Sequence, residues 1–137
     1  MALTHLVDSS VLTRLGRDAV RAAIEAQVEL GELARAAISD LEIGFSARDA
    51  AEWDRLVGAL DIFPVVETST EHVRRARQVQ RLLAARHQRG RKVPDLLIAA
   101  AAEAHDLTVL HYDADFDLIA AVTGQPCAWV VPAGSVD

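Results

Sequence analysis

Short apolar segments alternate with longer amphipathic stretches along most of this chain. The segments that fit buried strands are residues 3–7, 34–38, 62–66, 107–111 and 127–131. Helical patterns of roughly 10–15 residues fill much of the sequence between them. This alternation is typical of βαβ units, in which helices cover both faces of a parallel sheet. We therefore predict an α/β fold with three layers, α/β/α, a small mostly parallel sheet, and a single domain over residues 1–137.

Start and stop signals refine the predicted elements. Helices are predicted at residues 11–15, 18–30, 49–60, 94–105 and 116–122, and another opens with Ser39. The longest helix follows residues 68–71, Thr-Ser-Thr-Glu, which have the spacing of a capping box, and it ends near Gly90. Proline cannot donate to a strand ladder, so Pro64 predicts that the 62–66 strand lies at a sheet edge or is broken.

Acidic residues stand where predicted strands end or where the next helices begin. Asp8 and Asp113 follow strands. Glu42 lies in the first predicted turn of the helix after the second strand, and Asp95 opens an Ala-rich helix. Each acid also has a local explanation. These explanations are an N-cap at Asp8, a capping box from Ser39 to Glu42, a helix start at Asp95 and an Asx turn at Asp113.

Taken together, the acids predict a cation site. The carboxyl ends of parallel strands share one edge of the sheet, so we expect these side chains to meet there. Two like charges about 4 Å apart repel by about 4 kcal/mol at an effective dielectric near 20, so the cluster needs compensation. Oxygen ligands suit Mg²⁺ or Mn²⁺, and five scattered histidines with one cysteine give no zinc spacing. Metal-assisted phosphodiester chemistry is the favoured inference.

The charge distribution is polarised although the net charge is −6. Residues 74–92 contain eight basic residues and no acid, and the rest of the chain holds six basic and all twenty acidic residues. Such a segment can attract phosphates, or it can be the solvated face of an Arg-rich helix. The candidate RNA contacts are Arg74, Arg75, Arg81, Arg86, Arg89, Arg91 and Lys92.

Several functional classes are disfavoured by composition. No segment approaches the ~18 consecutive apolar residues of a membrane span, and the lone Cys127 fits a reducing compartment, so we expect a cytoplasmic protein. Aromatic residues make up 4% of the chain, too few for a base-stacking RNA platform. The phosphate-binding P-loop motif is absent. A phosphoacceptor receiver domain needs a Lys after a late strand, but the only Lys is Lys92.

The ordered motifs resemble the PIN domain, and more narrowly the VapC toxins of bacterial toxin–antitoxin pairs. The motifs are Leu-Val-Asp-Ser-Ser at 6–10, Ser-Asp-Leu-Glu at 39–42, Val-Pro-Asp-Leu-Leu-Ile-Ala at 93–99 and His-Tyr-Asp-Ala-Asp-Phe-Asp at 111–117. The resemblance covers essentially the whole chain. It implies a Mg²⁺- or Mn²⁺-dependent endoribonuclease that is usually dimeric and is neutralised by a small VapB-type antitoxin.

The resemblance also implies roles for individual residues. The metal-binding and catalytic acids would be Asp8, Glu42, Asp95 and Asp113, with Asp115 as the next ligand. Ser10 would be a polar neighbour that holds a ligand or a water, and Asp117 a helix-surface residue.

One departure from the family pattern leaves a choice open. Members often carry Thr two residues before the fourth acid, where this chain has His111, so either Asp113 or Asp115 is the closer ligand. The main alternative function is a non-catalytic module of the same fold that binds RNA or a protein. Retention of all four acids weighs against this alternative, because a module without metal would gain by losing them.

Overall fold

A computed structural model describes residues 2–88 and 92–137. The strands are β1 His5–Val7, β2 Leu33–Ala36, β3 Val65–Val66, β4 Thr108–His111 and β5 Cys127–Trp129. The helices are α1 Ser9–Leu12, α2 Asp18–Glu29, α3 Ala37–Gly44, α4 Ala50–Gly58, α5 Thr70–Ala85, α6 Val93–Ala104 and α7 Asp115–Thr123. A short 3₁₀ helix, Ala59–Ile62, follows α4.

The five strands form one parallel sheet in the order β3-β2-β1-β4-β5. β1 lies at the centre, where Leu6 is opposite Ala34 of β2 and Val109 of β4. Strands buried on both faces are expected to be rich in apolar residues, and the fully buried Leu6, Ala34 and Val109 fit this expectation. The parallel arrangement brings the carboxyl ends of β1 and β4, and therefore the residues that follow them, to the same edge.

Helices cover both faces of the sheet, which confirms the three-layer α/β/α prediction. Leu6 packs on one face with side chains from α5, α6 and α7, including Leu83 and Ile98. Val7 points to the other face, where it joins Val20 of α2 and other apolar side chains. The alternation of Leu6 and Val7 follows from the two-residue period of a strand. Among the described residues, none of the helices combines the length and hydropathy needed to cross a membrane.

Three predicted helix starts are wrong. α1 begins at Ser9, directly after its N-cap Asp8, rather than at residue 11, and it ends at Leu12 rather than at residue 15. β2 ends at Ala36 rather than at residue 38, and α3 begins at once without a side-chain cap, because pairing with β1 stops at Arg35. Glu42 therefore lies in the second turn of α3, and it does not form a capping box with Ser39. The capping box of α5 joins Ser69 and His72 rather than residues 68 and 71.

The edge position of β3 agrees with the sequence prediction, whereas the end of α5 does not. β3 is an edge strand of two residues that directly follows Pro64, as the proline predicted. α5 ends at Ala85, earlier than the predicted end near Gly90, and Gly90 itself is outside the described residues.

Candidate metal centre

A polar cavity of about 450 Å³ opens where β1 and β4 end. Four acids line it: Asp8, Glu42, Asp95 and Asp113. They come from the turn after β1, from α3, from the first turn of α6 and from the loop after β4. The sheet order thus brings together residues that are up to 105 positions apart in the sequence.

Asp8 acts as a helix cap and also contributes to the cavity. It is buried, and its Oδ2 accepts a hydrogen bond from the backbone N–H of Ser10 at 3.0 Å, which caps α1. Its backbone N–H donates to the carbonyl oxygen of Leu110 at 2.9 Å, which continues the β1–β4 contact. Oδ1 is buried without a hydrogen-bond partner. The capping explanation is therefore correct but uses only one of the two carboxylate oxygens.

Asp95 and Glu42 contribute buried oxygens that also lack partners. Asp95 is the third residue of α6, after Val93 and Pro94, and its side chain is buried with Oδ2 unpaired. Glu42 is half-buried, and its Oε1 has no partner. Leaving buried charged oxygens unpaired is costly, so these atoms are typical of a site that binds a donor or a cation.

Asp113 and Asp115 complete the acid cluster. Asp113 Oδ1 accepts the backbone N–H of Asp115 at 2.9 Å, the Asx-type turn that the sequence suggested. Asp95, Asp113 and Asp115 each offer an oxygen atom, and these atoms lie within 4.8 Å of one another. Both candidates for the fourth ligand are therefore near Asp95.

Burial and the charges of neighbouring acids raise the pKa values of Asp8, Glu42 and Asp95. Burial is the main cause that raises the pKa of Asp95 to about 7, and the charge of Asp8 raises it further. Burial also raises the pKa of Asp8, with a smaller contribution from Asp113. The pKa of Glu42 is raised by burial and then by the charge of Asp8.

Among the described residues, Lys92 provides a positive charge in direct contact with the cluster. Its Nζ donates to Asp113 Oδ2 at 2.6 Å. Burial raises the pKa of Asp113, but this hydrogen bond, the Asp115 N–H and the Lys92 charge outweigh burial and hold that pKa below its usual value. Lys92 also lowers the pKa values of Asp95 and Glu42. Lys92, one of the predicted RNA contacts, lines the acid cavity.

Ser10 and His111 hold the loops that carry the acids. Ser10 Oγ accepts the backbone N–H of Tyr112 at 2.8 Å, which ties α1 to the loop after β4. His111 is fully buried, its ring lies 5.0 Å from the rings of Phe116 and Trp129, and its Nδ1 accepts the N–H of Asp113 at 3.2 Å. At this position, then, the ring nitrogen of His111 orients Asp113.

The predicted RNA contacts at the start of α5 lie away from the cavity. Arg74 forms an ion pair with Glu71, and Arg75 Nε lies 2.7 Å from Oε1 of Glu103. Glu103 is eight residues after Asp95 on α6, which corresponds to about 12 Å along the helix axis. Arg75 therefore lies near the end of α6 that is remote from the acids.

Two other predicted contacts remain exposed. Arg81 and Arg86 are exposed on α5 and at its C-cap. Arg89 and Arg91 lie outside the described residues. Asp117, which we expected on the helix surface, is exposed and accepts a hydrogen bond from Trp129 Nε1.

Two cavity residues had no signal in the sequence. Arg14 lies in the turn after α1, outside any periodic pattern, and Tyr112 directly follows β4. Their side chains are in contact, with Arg14 Cζ 4.7 Å from the centroid of the Tyr112 ring. Only the tertiary structure brings this pair together beside the acids.

The donor set fits a hard divalent cation. The unpaired buried oxygens of Asp8, Glu42 and Asp95 are carboxylate atoms, and the residues that line the cavity include neither His nor Cys. Mg²⁺ and Mn²⁺ prefer such oxygen ligands, whereas Zn²⁺ sites are usually built with His or Cys. The acid cluster therefore indicates divalent metal use.

The raised pKa of Asp95 predicts a pH-dependent stability in the metal-free protein. Its folded-state pKa of about 7 exceeds the usual 3.8, so the protonated side chain stabilises the fold below about pH 4. That contribution is lost as the pH rises through 7. As the pH rises between these two values, we expect the free energy of unfolding of the wild type in chelator to fall relative to that of Asp95→Asn. The fall should be at most about 1.4 kcal/mol per pH unit.

Chemical denaturation at a series of pH values measures this difference. Asp18→Asn is the matched control, because Asp18 lies on the surface of α2 and pairs with Arg21. Its stability curve should run parallel to that of the wild type. Parallel curves for Asp95→Asn as well would show that Asp95 ionises normally.

Comparisons with known proteins agree with this geometry. A PIN domain family model matches residues 5–122. The ribonuclease VapC51 of Mycobacterium tuberculosis is 64% identical over 137 residues, which covers 100% of both chains. The ribonuclease VapC21 of the same organism is 43% identical over 138 aligned residues, 98% of this chain and 99% of that protein.

A solved structure shows the same fold at low sequence identity. VapBC2 from Rickettsia felis, bound to a DNA fragment from its promoter, matches with a TM-score of 0.77 at 13% identity. The match covers 94% of this chain and 98% of that chain. This likeness shows the fold. The family model and the two ribonucleases establish that the chain belongs to the PIN domain family and, within it, to the VapC ribonucleases.

Proposed function

We propose that this chain is the toxin of a toxin–antitoxin pair and cleaves RNA internally with a bound Mg²⁺ or Mn²⁺ ion. Asp8, Glu42, Asp95 and Asp113 are the proposed catalytic and metal-binding residues, with Asp115 as a further ligand. The observation that carries the proposal is that three of these acids have buried oxygens without partners. All three line one cavity.

The proposed chemistry is hydrolysis of a phosphodiester bond. When bound, such an ion polarises the phosphoryl group and lowers the pKa of water. Asp8 and Asp95, both buried, supply oxygens in fixed positions, because one caps α1 and the other lies in the first turn of α6. A carboxylate that the ion does not engage fully can accept the proton of the attacking water.

Neighbouring residues hold these acids in position. Ser10 joins the turn after β1 to the loop after β4, and His111 holds the backbone of Asp113. Lys92 balances part of the negative charge through Asp113. Preorganised ligands are a general requirement for metal-assisted catalysis, because the supporting shell fixes their orientation.

The predicted RNA contacts differ in how free they are to bind phosphates. Arg81 and Arg86 are exposed and form no ion pair with another described residue, so they are better able to bind phosphates than Arg74 and Arg75. Arg74 and Arg75 are engaged with acids, which lowers their value as phosphate ligands. We propose a cytoplasmic homodimer as the form in which the chain acts.

A nuclease assay tests the proposal directly. Pure protein incubated with total RNA should produce new ends in Mg²⁺ or Mn²⁺ and none in chelator. Asp8→Asn and Asp95→Asn should reduce cleavage below detection, because each removes an oxygen that is proposed to bind the ion. Sequencing of the new ends identifies the RNA and the cleaved bond.

Asp18→Asn serves as the control, because Asp18 is exposed at the start of α2 and is not among the residues that line the cavity. It should cleave like the wild type. Cleavage that survives chelation, or that survives Asp95→Asn, contradicts the proposed site. Binding of RNA without any cleavage would favour the non-catalytic module.

An exposed apolar surface supports an antitoxin partner. Phe45 is 92% exposed and Leu41 is 71% exposed, and the two lie four residues apart, on one side of α3 and its C-cap. Trp53 of α4 packs near Gly44 and is also partly exposed. Contiguous exposed apolar side chains commonly mark a protein contact. We propose that the small VapB-type antitoxin covers this surface.

Co-expression of this chain with the small protein encoded by the neighbouring gene tests whether the two bind each other. The two should co-purify, and Phe45→Ser should weaken the complex by about tenfold or more, because it removes a large apolar contact. Leu30→Ser is the control. Leu30 is also an exposed apolar residue, at 47%, but it is the C-cap of α2 and not part of the proposed surface on α3. No co-purification, or equal losses for both variants, would contradict the proposed surface.

A further inference from the structure

We infer that Arg14 binds a backbone phosphate of the RNA next to the cleaved bond. This inference rests on the proposed function and adds a substrate-binding residue outside the basic segment. Arg14 lines the same cavity as the four acids, and it is half-buried. Among the residues that the structure describes, Lys92 is the one other basic residue that lines this cavity.

The guanidinium of Arg14 is held in a fixed position. Nη1 donates to the carbonyl oxygen of Ser10 at 2.7 Å, and Nε donates to the backbone oxygen of Asp137 at 2.7 Å. The group also lies 4.7 Å from the centroid of the Tyr112 ring, within cation–π range. Tyr112 is fixed in turn, because its hydroxyl donates to the carbonyl oxygen of Val136 at 2.7 Å. The side chain is therefore ordered before a ligand arrives.

The groups that hold Arg14 also hold the acids. The backbone N–H of Ser10 donates to Asp8, while its carbonyl oxygen accepts from Arg14. Tyr112 contacts Arg14 and directly precedes Asp113. Arg14 is thus linked through one residue to an acid on each side. A phosphate bound by Arg14 would be placed in a fixed relation to the acid cluster.

Of the two described cavity cations, Arg14 and Lys92, Arg14 is the one that remains available to a ligand. Lys92 donates at 2.6 Å to Asp113, which satisfies its charge within the protein. Arg14 forms no ion pair with an acidic side chain of the described chain, and its Nη2 donates to none of those residues. Arginine suits phosphate because its planar guanidinium presents several N–H donors. RNA carries a phosphate at every nucleotide, so a scissile phosphate at the acids has neighbours within the same strand.

The salt dependence of RNA binding tests this role. The probe is a fluorescent mixed-sequence single-stranded RNA of 20 nucleotides, titrated by anisotropy in chelator at several salt concentrations. Arg14→Ala should weaken binding by about tenfold and reduce the slope of log K against log salt by about 0.7, the value for one phosphate contact on a single strand. Affinity for Mn²⁺, measured separately by calorimetry, should not change.

Arg17→Ala is the matched control. Arg17 is an exposed arginine three residues further on, pairs with the Asp137 side chain, and is absent from the cavity lining. It should bind RNA like the wild type with the same salt slope. If Arg14→Ala is poorly folded, Arg14→Gln and Arg14→Lys replace it, and Lys should keep the slope while losing part of the affinity.

Three outcomes would overturn the inference, and each indicates a different explanation. A folded Arg14 variant with the wild-type slope would show that Arg14 only tethers the chain near Asp137. Equal losses in Arg14→Ala and Arg17→Ala would show a diffuse charge effect. Wild-type protein that binds no RNA at all would overturn the proposed function together with this inference.

Discussion

The structure depends on the burial of like charges at one edge of a parallel sheet. Asp8 and Asp95 are almost completely buried, and the charge of Asp8 raises the energetic cost of ionising Asp95. A core of apolar side chains cannot relieve this repulsion, because it offers neither donors nor counter-charge. Lys92 relieves part of it through Asp113, and a divalent cation would relieve the rest. The buried carboxylates that would bind the metal therefore lower the stability of the fold as long as no metal is bound.

The sheet order explains why this arrangement forms. β1 lies between β2 and β4, so the turns after β1 and β4 are neighbours, and α3 and α6 begin beside them. Ser10 and His111 then fix the two turns through single hydrogen bonds to backbone N–H groups. Local capping and the common site are compatible, since Asp8 uses one oxygen for the helix and leaves the other for the cavity.

Much of the fold and the acid cluster could be predicted, because strand ends followed by acids are visible in the sequence. The order of the acids along the chain predicted their convergence, whereas their roles as metal ligands stay predictions. Helix starts were less certain: α3 begins at Ala37 without a polar cap, which no capping signal announces. Lys92 and Arg14 could not be assigned to the cavity, because their positions depend on contacts with Asp113 and Tyr112 that form only in the tertiary structure.

A crystal structure with Mn²⁺, collected to record the anomalous signal of the metal, tests the central claim most directly. We expect a single strong peak, or a close pair of peaks, within about 2.5 Å of carboxylate oxygens of Asp8 and Asp95. The Lys92–Asp113 contact should lengthen as the ion takes up charge from the cluster. An empty acid cavity, with manganese bound only to surface carboxylates, would contradict the claim that these buried oxygens form a metal site.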